Sequence, residues 1–186
     1  MAEKTRESCI ICQIVGNKVP SYKIYEDELS LAVLDVNGAN PGHCFLMPKN
    51  HYPIIEQVPN DELAHLFVVA NKISSAIFGS LKAQGTNIFI ANGVPAGQTI
   101  AHFMINIIPR GERDNINLQW SSKQLTEEEM STIELKLKEN TENVGIEKTV
   151  KIDRQKTSRE RATKDPAMNI NDNEENYFMK QLRRIP

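Results

Sequence analysis

One short run near the middle of the chain constrains the fold more than any other. From His102, residues alternate: His102, Met104 and Asn106 fall on one side of an extended strand, and Phe103, Ile105 and Ile107 on the other. The second row is wholly apolar and must face a core, while the first is polar and borders solvent or a site. A half-buried strand of this kind needs partner strands on its edges and a layer on its apolar face.

The neighbouring segments supply both. Leu31-Ala32-Val33-Leu34-Asp35-Val36 reads as a strand before the turn signal Asn37-Gly38, and His43 to Met47 as another that ends at Pro48. Asn87 to Ala91 reads as a strand, and the His102 strand, from about Ile100 to Ile108, stops at Pro109. One long helix interrupts them. Asn60 is its expected N-cap, and Asp61 and Glu62 favour its positive end. Leu63, Leu66, Phe67, Ala70, Ile73, Ile77 and Leu81 form its apolar stripe, Lys82 lies in the last turn and Gly85 past the end. Short strands, tight loops and one amphipathic helix predict an α+β domain with a mostly antiparallel sheet.

Composition changes near Trp120. Residues 121–186 carry 13 basic and 13 acidic residues with few aromatics, whereas all four histidines lie before them. The expected organisation is a compact domain over 1–119 and a charged C-terminal extension over 120–186. In the extension, Thr126-Glu127-Glu128-Glu129 has the pattern of a capping box, and Met130, Ile133 and Leu137 follow at helical spacing, predicting a helix over 126–140. Residues 148–164 are basic but lack interleaved aromatics, and read as a solvated stretch rather than a nucleic-acid surface. Tyr177, Phe178, Met179, Leu182 and Ile185 form an apolar end suited to docking.

The formal net charge of −2 predicts no attraction to nucleic acid or anionic lipid. No apolar run approaches the roughly 20 residues of a membrane helix, and Met1 to Ser8 lacks the apolar core of a secretory signal. The reading is a cytoplasmic protein, with no membrane partner and with reduced thiols. In that setting the pair Cys9-x-x-Cys12 points to metal binding or redox chemistry, and Cys44, among Phe45, Leu46 and Met47, to a small buried apolar residue.

The segment Asn92-Gly93-x-x-Ala96-Gly97-Gln98-x-x-x-His102-x-Met104-x-Asn106-x-Ile108-Pro109-Arg110 resembles the signature of the histidine-triad (HIT) family. Two other blocks resemble that family in order: Cys9 to Ser21, and Leu34-Asp35-Val36 with Asn40-Pro41-Gly42-His43 and Pro48-Lys49-x-His51. The resemblance spans about residues 9–113. It implies an antiparallel sheet of about five strands, one long helix and a short N-terminal helix, followed here by the partly helical extension.

It also implies a site. In the family the middle histidine of the triad attacks the α-phosphorus of a nucleoside monophosphate ester or amide. Here that position is Met104, and the third triad position is Asn106. A thioether has no group titrating near pH 7 and is only a weak acceptor, so no catalytic residue is assigned. By the same resemblance, Asp35 accepts the ribose hydroxyls, Asn92, Gln98 and Asn106 contact ribose and phosphate, and Ile14 and Leu34 cover the base of a purine nucleotide or nucleoside monophosphate. Cys9, Cys12, His51 and His102 match the ligands of a structural zinc site in relatives that carry the N-terminal pair. His43 has an orienting or structural role, and His65, off the helix stripe, is a surface residue. Family members pair as homodimers whose sheets join, so a second copy or an active relative is the expected partner.

The sequence leaves three functions open: an inactive nucleotide-binding protein, a hydrolase or transferase using another nucleophile or water, and a scaffold acting through the extension.

Overall fold

The computed structural model describes residues 6–141 and residue 144. The chain falls into two units, Met1–Trp120 and Ser121–Pro186. The first begins with helix α1 (Ile10–Val15), then strands β1 (Lys23–Glu26), β2 (Ser30–Leu34) and β3 (Cys44–Pro48). Helix α2 (Asn60–Leu81) follows, then β4 (Gly85–Phe89) and β5 (Ile105–Arg110). The five strands form one sheet in the order β1-β2-β3-β5-β4. Every pairing is antiparallel.

Alternation along the central strands divides the side chains between two faces. Ala32, Cys44, Leu46, Ile105 and Ile107 turn to one face and pack with Phe103 against Leu66, Val69, Ala70, Ile73 and Ile77 of α2. Leu31, Val33 and Met47 turn to the other, where Cys9 and Ile11 cover them, with Phe45 and Met104 at the margin. Each fully buried Leu or Ile contributes about 1.5–3 kcal/mol, so both layers are needed to hold the central strands. Cys44 is fully buried in the helix-side layer. Burial pushes its thiol up to about 11, which agrees with its reading as a small apolar residue.

Several boundaries differ from the sequence reading. The α2 cap position is Pro59, with no side-chain cap, and Asn60 is the first helical residue. The helix ends on Lys82 in the left-handed conformation (φ 54°), while Gly85 opens β4. Phe67 and Leu81, assigned to the apolar stripe, are exposed, while Val69 is buried in their place. β5 begins at Ile105 rather than near Ile100, because His102 N–H bonds to the Ile100 carbonyl (2.8 Å) in a tight turn and Phe103 N–H to that of Tyr52 (2.6 Å).

β5 also continues through Pro109 instead of stopping there. Its pairing with β3 ends at Ile107, and the Pro109 carbonyl accepts the Asn40 amide (2.8 Å) on that side. A residue in a strand points its N–H and carbonyl the same way, so the donor that proline lacks would have met no strand.

Among the described residues α2 is the one helix long and apolar enough, by length and composition, to cross a membrane: it has 22 residues, with a mean hydropathy of 1.3 over its most apolar 18-residue stretch. The absence of such a run was the expectation from sequence. Seven of its residues are buried, the apolar ones against the sheet.

In the second unit, helix α3 (Glu127–Thr141) carries the expected capping box. Glu129 N–H donates to Thr126 Oγ1 (3.3 Å), and Thr126 N–H donates to Glu129 Oε2 (2.8 Å). Met130, Ile133 and Leu137 are exposed on it. The basic stretch 148–164 and the apolar end 177–185 lie outside the described residues.

Candidate functional site

Four of the expected site residues converge behind α1. Cys9 is the cap residue of α1 and Cys12 lies one turn on, so both thiols share a face. His51 follows β3, and His102 sits in the tight turn before β5. The ligand atoms of these four residues all lie within 4.8 Å of one another. Cys12 Sγ is 3.3 Å from His51 Nδ1 and 3.7 Å from His102 Nδ1, and Cys9 Sγ is 3.6 Å from His102 Nδ1. Zn–S and Zn–N bonds of about 2.3 and 2.0–2.1 Å in a tetrahedron give S···N edges of about 3.6 Å, so the donor set fits zinc.

The orientation of His102 adds to the fit. Its Nε2 donates to the Pro48 carbonyl (3.0 Å), which leaves the lone pair on Nδ1, facing the thiols. Burial pushes His102 down to about 4, so the ring is neutral, as a ligand must be. Burial, with Cys9 close by, pushes the Cys12 thiol up to about 11, although the Arg6 guanidinium pulls the other way. The T-shaped His51 and His102 rings, with centroids 5.2 Å apart, complete the set of four protein donors.

On the same face of the sheet lies a cavity of about 320 Å³, within the size range of small-molecule sites. Asp35, Gln98, Met104 and Asn106 line it, together with His43, Phe45, Phe89 and Ile100. The register explains the grouping: Asn106 stands opposite Phe45 on β3 and Phe89 on β4, so all three share its face. Met104 and Asn106 are half-buried, and His102 also lines the cavity.

Three expected site residues lie elsewhere. Leu34 alternates with Val33 and so turns to the helix side, where it lines a larger apolar groove of about 510 Å³ with Ile73 and Ile77. Ile14 packs in the α1 layer rather than on the cavity. Asn92 is outside it too, and ties two loops together: its Oδ1 accepts Ile55 N–H (3.1 Å) and its Nδ2 donates to Glu56 (2.8 Å).

Gln98 lines the cavity, but its amide is committed to the fold. Oε1 accepts Gly93 N–H (2.7 Å), and Nε2 donates to the carbonyls of Pro53 (2.6 Å) and Ile100 (2.9 Å). Asp35 Oδ1 accepts Asn37 N–H (2.9 Å). Beside it, His43 Nδ1 accepts Ala39 N–H (3.1 Å) and lies 3.5 Å from Asp35 Oδ2, while His43 Nε2 is a buried atom with no partner among the described residues.

Sequence reasoning missed Phe45 and Phe89, which the strand register alone brings to Asn106. His65, read as a surface residue, is about a third exposed (35%), and its Nε2 meets Asp27 Oδ2 at 2.7 Å, joining α2 to the β1–β2 turn.

An antiparallel sheet backed by one helix, with a Cys₂His₂ cluster beside a small cavity on its open face, defines a narrow class of α+β proteins. The model of the HIT domain matches residues 17–113, and the chain belongs to this family. It is 38% identical over 120 residues to Adenylylsulfatase HINT3 of Arabidopsis thaliana, a match covering 64% of this chain and 59% of that protein. The chain thus spans less than two thirds of that relative's length. A HIT-family crystal structure from Bacillus subtilis superposes with a TM-score of 0.67 at 30% identity, covering 71% of this chain and 96% of that one. A Zn-bound histidine triad family protein from Mycobacterium smegmatis superposes with a TM-score of 0.58 at 32% identity, covering 63% and 86%.

Proposed function

We propose that this chain is a nucleotide-binding HIT protein without nucleotidyl hydrolase or transferase activity. The observation that carries this reading is Met104, which lines the cavity and, by the sequence resemblance, stands where the family has its attacking imidazole. The family's reaction needs a basic nitrogen that bonds to phosphorus and leaves again. Of the histidines lining the cavity, His102 turns its nitrogens to Pro48 and to the thiols, and His43 turns Nδ1 to Ala39. Removal of a catalytic nucleophile costs on the order of a million-fold in one protease.

Asp35 supplies the acceptor for ribose hydroxyls, and the Phe45, Phe89 and Ile100 walls suit a purine. Cys9, Cys12, His51 and His102 hold a structural Zn²⁺, which pins α1 to the start of β5 and takes no part in chemistry. The similarity to a Zn-bound relative supports this assignment. A second copy, or an active relative, pairs through the outer edge of β4, which has β5 on its other side and carries the exposed Ile88 and Phe89. Residues 1–119 form the binding domain and 120–186 a charged extension.

Steady-state assay with an adenosine phosphoramidate tests the reading. Turnover at the uncatalysed rate is expected, together with saturable binding of a nucleoside or nucleotide. Turnover well above background overturns it in favour of another nucleophile or an activated water.

A further inference from the structure

We propose that Tyr52 and Glu62 form a positioning pair for the metal site, and fix its two histidine ligands through one chain of buried hydrogen bonds. This rests on the reading of Cys9, Cys12, His51 and His102 as a zinc site, and concerns what holds the histidine half of that site in place.

Each ligand histidine is followed by an aromatic residue that faces the other way. His51 turns Nδ1 to the Cys12 thiol (3.3 Å), while Tyr52 packs on the helix-side core. His102 turns Nδ1 to both thiols, while Phe103 is buried in that same core. Phe103 N–H donates to the Tyr52 carbonyl (2.6 Å), so one backbone bond ties the segment after β3 to the turn before β5. The separation of the two imidazoles therefore follows the placement of Tyr52.

Glu62 holds Tyr52 from the other side. The Tyr52 hydroxyl donates to Glu62 Oε2 (2.9 Å), and Glu62 lies in the first turn of α2, only 5% exposed. A glutamate at this place in a helix commonly reaches back to the N–H of the cap residue. Here the cap is Pro59, which has no N–H, so the Glu62 carboxyl group is left for the tyrosine. Its Oε1 is buried with no hydrogen-bond partner among the described residues. A carboxyl group buried on one hydrogen bond loses more hydration than that bond restores, and an apolar side chain would pack there without the loss. The pair is thus a poor stabiliser of the fold. What it does is fix the Tyr52 ring to the end of α2, and groups standing behind metal-ligating histidines set their orientation.

Zinc transfer from the full, zinc-loaded chain to a chromogenic chelator tests the proposal, together with the visible spectrum of the cobalt-loaded chain. Tyr52→Phe and Glu62→Leu are each expected to release zinc about tenfold faster and to change the cobalt spectrum. Glu62→Gln keeps an acceptor for the tyrosine hydroxyl and is expected to match the unmodified chain in both measurements. The double variant Tyr52→Phe/Glu62→Leu is expected to release zinc no faster than the faster single variant, since both remove the same bond. Gly42→Ala, which meets Leu81 and Pro109 rather than either histidine segment, is the control for lost stability. Release from Tyr52→Phe and Glu62→Leu at the unmodified rate, or no faster than from Gly42→Ala, overturns the proposal and leaves the metal site standing. A Glu62→Gln chain that loses zinc as fast as Glu62→Leu also overturns it. If one variant fails to fold, the others decide. An unmodified chain that binds neither metal ends the zinc reading, and this inference with it.

Discussion

His102 donates its Nε2–H to the carbonyl of Pro48 at 3.0 Å. That bond turns Nδ1 onto Cys9 and Cys12, and so couples the end of β3, the start of β5 and helix α1 at one point. The expected outcome is about one zinc per freshly purified chain by elemental analysis. Cys12→Ser or His51→Ala should lose most of it and lower stability by about 2 kcal/mol, roughly 10 °C in Tm. Full thermal stability with no metal bound would remove zinc from the account.

Met104 is the residue on which inactivity turns. Met104→His is expected to raise turnover of an adenosine phosphoramidate at least about a hundredfold over the unmodified chain, since the new imidazole shares a face with Asn106 and Phe45. Stopped turnover assays on both proteins check this. A well-folded variant that stays at background would mean that Asn106, or the committed Gln98 amide, also blocks the reaction.

Asp27 is a hub that the site does not use. Burial works against its charge, but hydrogen bonds from Tyr25, His65 and Ser30 outweigh it and hold the carboxyl well below the usual range. A carboxylate depressed in the folded state adds stability above its unfolded pKa of about 3.9, and that stability is lost as pH falls. Asp27→Asn should therefore cost about 2 kcal/mol at pH 7. The two denaturation curves should converge as pH falls below about 4; a constant gap across pH would show that packing rather than charge sets the cost.

Gly42 has φ +89°, and a Cβ there would run into the Leu81 side chain and approach Pro109 Cγ at 3.2 Å. Gly42→Ala is expected to destabilise by about 1–3 kcal/mol in urea unfolding. Adding Leu81→Ala should relieve the clash but not the backbone strain, so only partial recovery is expected.

Much of this molecule was legible one residue at a time. The alternation from His102 named the core row Phe103, Ile105 and Ile107 because a strand has a period of two and a buried face tolerates no charge. Thr126 and Glu129 announced their helix because a capping box is a local bond. Ordered motifs in the sequence group Cys9, Cys12, His51 and His102 through the family resemblance. Tertiary structure decided the rest, since those outcomes depend on partners distant in sequence. Leu34 left the expected site because pairing with Cys44 fixed which way β2 faces. Asn92 and Gln98 carry the right amides, yet loops 36 to 45 residues away consume them. Phe45 and Phe89 entered the cavity only through the register of β3 and β4 against β5. Residue type and spacing determine which groups are present; the register and the folded loops determine which of their bonds remain free for a ligand.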